Sequence, residues 1–100
     1  MVNKMENYWD GENWLKKDNI KDCCIINYYL GENLHRKDGP ASIYSHKDGS
    51  YKYIIYYQNG KIHRKNKPAL IECRNNNIII KKYYQNGKIH RKNGPAFLTF

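Results

Sequence analysis

The sequence predicts an all-β fold, an antiparallel β-hairpin repeat array resembling a meander, and three observations carry that prediction. A fourteen-residue pattern beginning at Tyr28 returns at Tyr56 and at Tyr83, with the Tyr pair, the His and the Pro-Ala at the same offsets each time. Each copy is centred on a turn dipeptide, and no window shows the sustained apolar period of about 3.6 residues that a helix needs.

The copies run from Tyr28 to Ala41, Tyr56 to Ala69 and Tyr83 to Ala96, with periods of 28 and 27 residues. Upstream, Tyr8-Trp9-Asp10-Gly11-Glu12-Asn13-Trp14-Leu15-Lys16-Lys17-Asp18 aligns with Tyr28 to Asp38 at an offset of 20. Leu15 stands for the His there and Ile20 for the Pro, as expected of a terminal repeat that caps a stack. The chain therefore divides, within one domain over 1–100, into a degenerate cap at 8–21 and repeats at 28–55, 56–82 and 83–100.

Turn chemistry sets the register. Asn59-Gly60 and Asn86-Gly87 favour two-residue type I′ turns, which need φ > 0 at both positions, while Gly31-Glu32 suits type II′ with Gly first. Counting outward puts Tyr29 opposite Leu34, Tyr57 opposite Ile62, Tyr84 opposite Ile89 and Trp9 opposite Trp14. Opposed residues share a face, so Trp9, Trp14, Tyr29, Tyr57 and Tyr84 form one aromatic stripe. One step out, Tyr28, Tyr56 and Tyr83 fall opposite His35, His63 and His90 on the reverse face, a Tyr-His ladder in which each His is expected to stack on its Tyr and hydrogen-bond the neighbouring turn.

After each His-Arg-Lys, a Pro-containing segment bends the chain and a second strand follows, at Ser42 to Ser45, Leu70 to Cys73 and Phe97 to Phe100. Asp48-Gly49 and Asn75-Asn76-Asn77 then return it. About two strands per repeat result, with 14–24 the stretch least defined by pattern. The Phe97 to Phe100 strand is uncharged and is the expected edge for dimerisation or strand addition by a partner.

Composition narrows the function classes. The chain is 40% hydrophobic with ten Tyr, so much of its apolar surface is expected to be half-exposed. It has no apolar run of the roughly 20 residues that a membrane helix requires, and no signal-peptide run at Met1 to Asp10. The expected location is the cytoplasm, with no membrane partner. Cys23, Cys24 and Cys73, an odd set with an adjacent pair, are expected to be reduced thiols. A net charge of +9 makes an anionic partner worth weighing.

The pattern Tyr-Tyr-Gln-Asn-Gly-Lys-Ile-His-Arg-Lys-Asn-Gly-Pro-Ala resembles the His-Arg-x-x-Gly-Pro-Ala repeats grouped with variant MORN repeats of giant viruses, phages and some bacteria. The resemblance covers residues 28 to 100. It implies a β-hairpin solenoid used for binding, and a viral or phage source acting in the host cytoplasm. The chain lacks most of the Gly-aromatic alternation of MORN repeats proper, and Lys67 stands where Gly39 and Gly94 do, so lipid binding is not expected.

Chemistry points away from catalysis. Equivalent His residues two strands apart are separated by roughly 9.5 Å, too far to share a zinc ion whose ligands sit about 2 Å from it. No cofactor or metal is expected, nor an enzyme: phosphate loops, paired carboxylates and a Cys with an adjacent base are all missing from the motifs. What remains is a basic row of His35, Arg36 and Lys37, His63, Arg64 and Lys65, and His90, Arg91 and Lys92. Either each Arg ties its Pro-containing bend to the adjacent hairpin through backbone carbonyls, or the row holds phosphates. Two function classes follow: a protein-interaction module, engaging a host protein or a second copy through the aromatic stripe, and a nucleic-acid or polyanion binder using the row.

Overall fold

The computed structural model of the protein describes residues 4–100. Eight strands form one continuous antiparallel sheet: β1 (Lys4–Trp9), β2 (Trp14–Ile20), β3 (Cys23–Leu30), β5 (Ser42–His46), β6 (Tyr51–Ile55), β9 (Leu70–Arg74), β10 (Asn77–Lys82) and β13 (Phe97–Thr99). The remaining strands belong to short hairpins at one end of the long ones. They are β4 (Asn33–Leu34), which folds back on β3, and the pairs β7 (Tyr57–Gln58) with β8 (Lys61–Ile62) and β11 (Tyr84–Gln85) with β12 (Lys88–Ile89). No described residue is helical. The repeats at 28–55 and 56–82 each give the sheet two long strands, the second of which ends just before the Tyr pair that opens the next short hairpin, and the repeat at 83–100 gives it β13.

The turn dipeptides set this register. Asn59 and Gly60 have φ of 50° and 80°, and Asn86 and Gly87 have 49° and 83°, both positive as type I′ requires. Tyr57 pairs with Ile62, Tyr84 with Ile89, Tyr29 with Leu34 and Trp9 with Trp14, as the sequence predicts. The stretch 14–24 resolves into β2, a turn in which Lys21 has φ 51°, and the start of β3.

In the cap the hairpin runs straight. Pairing continues from Trp9 and Trp14 to Lys4 and Asn19 without the bend seen at Tyr56 and Tyr83. With Leu15 in place of His and no Pro-Ala, nothing there returns the chain across its own strand.

The sheet is a single layer. The protein measures 44 × 32 × 17 Å, and among the described residues no large side chain is fully buried. Two alanines, Ala41 and Ala69, are fully buried, and Leu70 is 5% exposed. Both alanines sit where the bend rejoins the sheet between two strands. Ala69 accepts from Tyr56 N at 2.7 Å and donates to Lys82 O at 2.9 Å; Ala41 does the same with Tyr28 and Ile55. Neither has room for a larger side chain without displacing its neighbours, so the Ala that ends the first two copies is a packing requirement. Ala96 accepts from Tyr83 N but lies beside the edge strand β13 and is half-buried.

Register divides the side chains between two faces. Ile26, Ile43, Ile54 and Ile71 form one row across β3, β5, β6 and β9. The opposite face carries Ile25, Tyr44, Tyr53, Glu72 and Ile80 in one row, and Trp9, Trp14, Tyr29 and Leu34 in another. Each cross-strand pair contributes roughly 0.2–1 kcal/mol, so stability is spread over many half-buried neighbours rather than held in one core.

Candidate binding surfaces

Each His-Arg-Lys bend is built in the same way. The guanidinium carbons of Arg36, Arg64 and Arg91 lie 3.9, 3.8 and 4.1 Å from the ring centres of Tyr28, Tyr56 and Tyr83. Nη1 of each Arg also donates to the carbonyl four residues on, at Pro40 (3.3 Å), Pro68 (3.2 Å) and Pro95 (3.2 Å). A Cβ on Gly39 would come within 2.9 Å of Arg36 Nη1, which explains the glycine there. Lys67 takes that place in the middle copy, where Asn66 absorbs the turn with φ 61°. The Arg row is therefore part of the scaffold: each guanidinium has a ring beneath it and a carbonyl in front of it.

The imidazoles join neighbouring repeats. His35 Nδ1 accepts from Asn59 N at 3.0 Å, and His63 Nδ1 accepts from Asn86 N at 3.1 Å. Hydrogen bonds to the following turn fit the sequence reading, but the group that lies over each Tyr ring is the guanidinium, whose positive charge is drawn to the π face. Each bend is linked to the next hairpin by Gln58 Nε2 donating to Arg36 O (2.9 Å) and Gln85 Nε2 donating to Arg64 O (3.2 Å). Asn13 serves the cap: its buried side chain donates to His35 O and Tyr29 O.

Three grooves lie along this face, the second and third between successive bends and the first between the cap turn and the first bend. The first, about 420 Å³, is lined by Asp10, Gly11, Glu12, Asn13, Arg36 and Asp38. The second, about 450 Å³, has Arg36, Lys37, Asp38 and Gly39 on one wall and Tyr56, Gln58, His63, Arg64 and Lys65 on the other. Lys65 and Asn66 face Tyr83, Gln85, His90, Arg91, Lys92 and Asn93 across the third, about 630 Å³. Carboxylates thus dominate the first groove, one remains in the second, and the third has only cationic and neutral groups. Asp10 Oδ1 accepts from Glu12 N and Asn13 N, and these amides, Asn13 first, hold its carboxyl below the ordinary aspartate value.

On the opposite face register brings Trp9, Trp14 and Tyr29 side by side, while Tyr57 and Tyr84 belong to the separate short hairpins. Trp9 and Trp14 pack with ring centres 5.6 Å apart and are 55% and 51% exposed. Lys16 Nζ lies 5.3 Å from the Tyr29 ring centre, and Asn7, Trp14, Lys16, Tyr29, Gly31 and Glu32 line a shallow hollow of about 440 Å³. Tyr57 and Tyr84 are half-buried further along. Burial first, and Tyr84 second, push the Tyr57 phenol up.

One cluster was beyond the sequence reading. Cys23 lies directly opposite His46, and His46 Nδ1 is 3.1 Å from Asp48 Oδ1. The thiol's hydrogen-bond partner is the Tyr44 hydroxyl at 2.9 Å, and that bond raises the Tyr44 pKa. Asp48 is held low, first by Ser50 and then by His46. No local signal fixes this pairing: the Asp48-Gly49 turn sets β5 against β6, and His46 meets Cys23 only when β5 docks on β3. Cys23, Cys24 and Cys73 are free, and among the described residues no three His, Cys, Asp or Glu side chains are placed to hold a metal ion. Nor is any described helix long and apolar enough to cross a membrane.

No family model matches the chain, and neither a curated protein nor a solved structure matches it, so its reading rests on the repeat geometry itself.

Proposed function

We propose that this protein is a non-enzymatic β-repeat module, akin to variant MORN repeats, that binds a protein partner in the cytoplasm through its aromatic face. The observation that supports this most directly is the Trp9–Trp14 pair, packed at 5.6 Å yet about half exposed, beside Tyr29 and its hollow. Large aromatic side chains already fixed by cross-strand neighbours lose little entropy on docking, and such anchors carry most of the energy of an interface. The engagement of all three guanidinium groups within their own bends speaks against the Arg row as the main recognition surface.

The two tryptophans are the only ones in the chain, so their emission reports on this face alone. A photo-cross-linker at Asn7, exposed and lining the hollow beside Trp14 and Tyr29, is expected to give a saturable adduct. The purified partner should then shift the Trp emission to the blue, and Trp9→Ala with Trp14→Ala should weaken binding by tenfold or more. A partner that binds with no change in Trp emission rejects this face. If the adduct is a second copy, emission shifts with protein concentration and sedimentation gives a dimer.

A further inference from the structure

Charge is divided unequally along the sheet. Residues 49–100 hold eleven of the eighteen Lys and Arg but one of the nine acidic residues, Glu72. Because strands follow one another across the sheet nearly in chain order, this division becomes a gradient from the cap edge at β1 to the far edge at β13. The grooves sample that gradient, passing from acidic to wholly cationic.

On the short hairpins, Gln58 pairs with Lys61 and Gln85 with Lys88. Alternation puts Lys61 on the face of Tyr56 and His63, and Lys88 on that of Tyr83 and His90. Lys61, Lys65, Lys88 and Lys92 are all exposed. The first repeat has Asn33 at the Lys61 position, so this cationic edging begins only with the second.

We infer that the second and third grooves form a track for single-stranded nucleic acid, with Lys61, Lys65, Lys88 and Lys92 on its phosphates and the exposed His90 and the planar Arg91 guanidinium that covers Tyr83 beside its bases. Three features favour that ligand over an acidic peptide. The cations recur at one repeat, roughly 9.5 Å or two strand spacings, and so suit a polymer charged at regular intervals. The lysines are not held by the scaffold, as the arginines are, and are free to neutralise phosphate. Flat groups beside the cations offer stacking surfaces of the kind that single-strand binders use, which a paired duplex does not present to them. This site lies on the face opposite the Trp pair, so both can be occupied together.

The test is fluorescence anisotropy with a labelled oligodeoxythymidylate over a range of salt, using the full chain and two variants of equal net charge. Lys65→Glu with Lys92→Glu reverses the grooves; Lys21→Glu with Lys47→Glu reverses exposed turns at the other ends of the long strands. The native chain is expected to bind with log affinity falling linearly in log salt, by about 0.7 per phosphate contacted. The groove variant should bind at least tenfold more weakly with a slope flatter by about 1.4, and the turn variant should stay within twofold of native. If circular dichroism shows the groove variant unfolded, Lys65→Gln with Lys92→Gln serves instead. Equal weakening of groove and turn variants, duplex binding as tight as single strand, or no binding at about 0.1 M salt overturns the inference.

Discussion

The first and third grooves lie at opposite ends of the row of bends and carry opposite linings. Asp10, Glu12 and Asp38 surround Arg36 in the first, whereas the third sets Lys65, His90, Arg91 and Lys92 together with no carboxylate. The groups that hold the bends differ much less. A guanidinium over a Tyr ring and a bond to the carbonyl four residues on occur in all three copies. Residues that satisfy backbone groups are therefore fixed by the repeat, and residues that only line its surface are free to vary with function. The conspicuous His-Arg-Lys triplet mixes both kinds, with His and Arg building and Lys lining.

That division can be broken experimentally. Removing a builder should cost stability and removing a lining residue should not. Arg64→Ala loses a ring contact worth about 0.5–2 kcal/mol and a charged hydrogen bond of roughly 1.5–3 kcal/mol. With partial exposure, a net loss of about 2 kcal/mol is expected in urea unfolding, against less than about 0.5 kcal/mol for Lys65→Ala. Equal effects would erase the distinction.

A second comparison sets an interior junction against the edge. Ala69→Leu forces a larger side chain between two strands and should cost about 1–3 kcal/mol, while Ala96→Leu beside β13 should stay within about 0.5 kcal/mol. Next in size is His63→Ala, which removes the acceptor for Asn86 N. A loss of about 0.5–1 kcal/mol is expected at this exposed site, and faster hydrogen exchange at the Asn86 amide would locate it.

The smallest effect concerns the cap. Asp10 is depressed by the Asn13 and Glu12 amides, so the folded state favours its ionised form. Its contribution is fully present above the ordinary aspartate pKa and is lost as pH falls through the lower folded value. Asp10→Asn should remove that acid-side slope from a stability profile and leave the slope above neutral pH unchanged.

Much of the fold was legible in the chain because its turns are strict. Asn-Gly and Gly-Glu dipeptides admit few backbone geometries, and once they are placed, period-two alternation fixes the partner of every nearby residue. Trp9 opposite Trp14 and Tyr57 opposite Ile62 follow from counting alone. The Trp9, Trp14 and Tyr29 part of the aromatic stripe and the His bond to the following turn were legible for the same reason. The charge gradient was also there to be counted, but its meaning waited on strand order.

Other features depended on side chains reaching across several residues, which no alternation rule describes. Nothing in the pattern tells that Arg36, rather than His35, lies over Tyr28; that follows from the bend returning the chain above its own strand, where a long planar cation reaches both ring and carbonyl. The link from Gln58 to Arg36 O and the grooves themselves exist only because repeats stack. The pairing of Cys23 with His46 joins positions far apart in the chain, brought together when β5 docks on β3. Local turn chemistry is written residue by residue, so a reader of the chain can recover it. Contacts between repeats come from the rotation and spacing at which hairpins stack, and those are set by the packing of many weak neighbours at once.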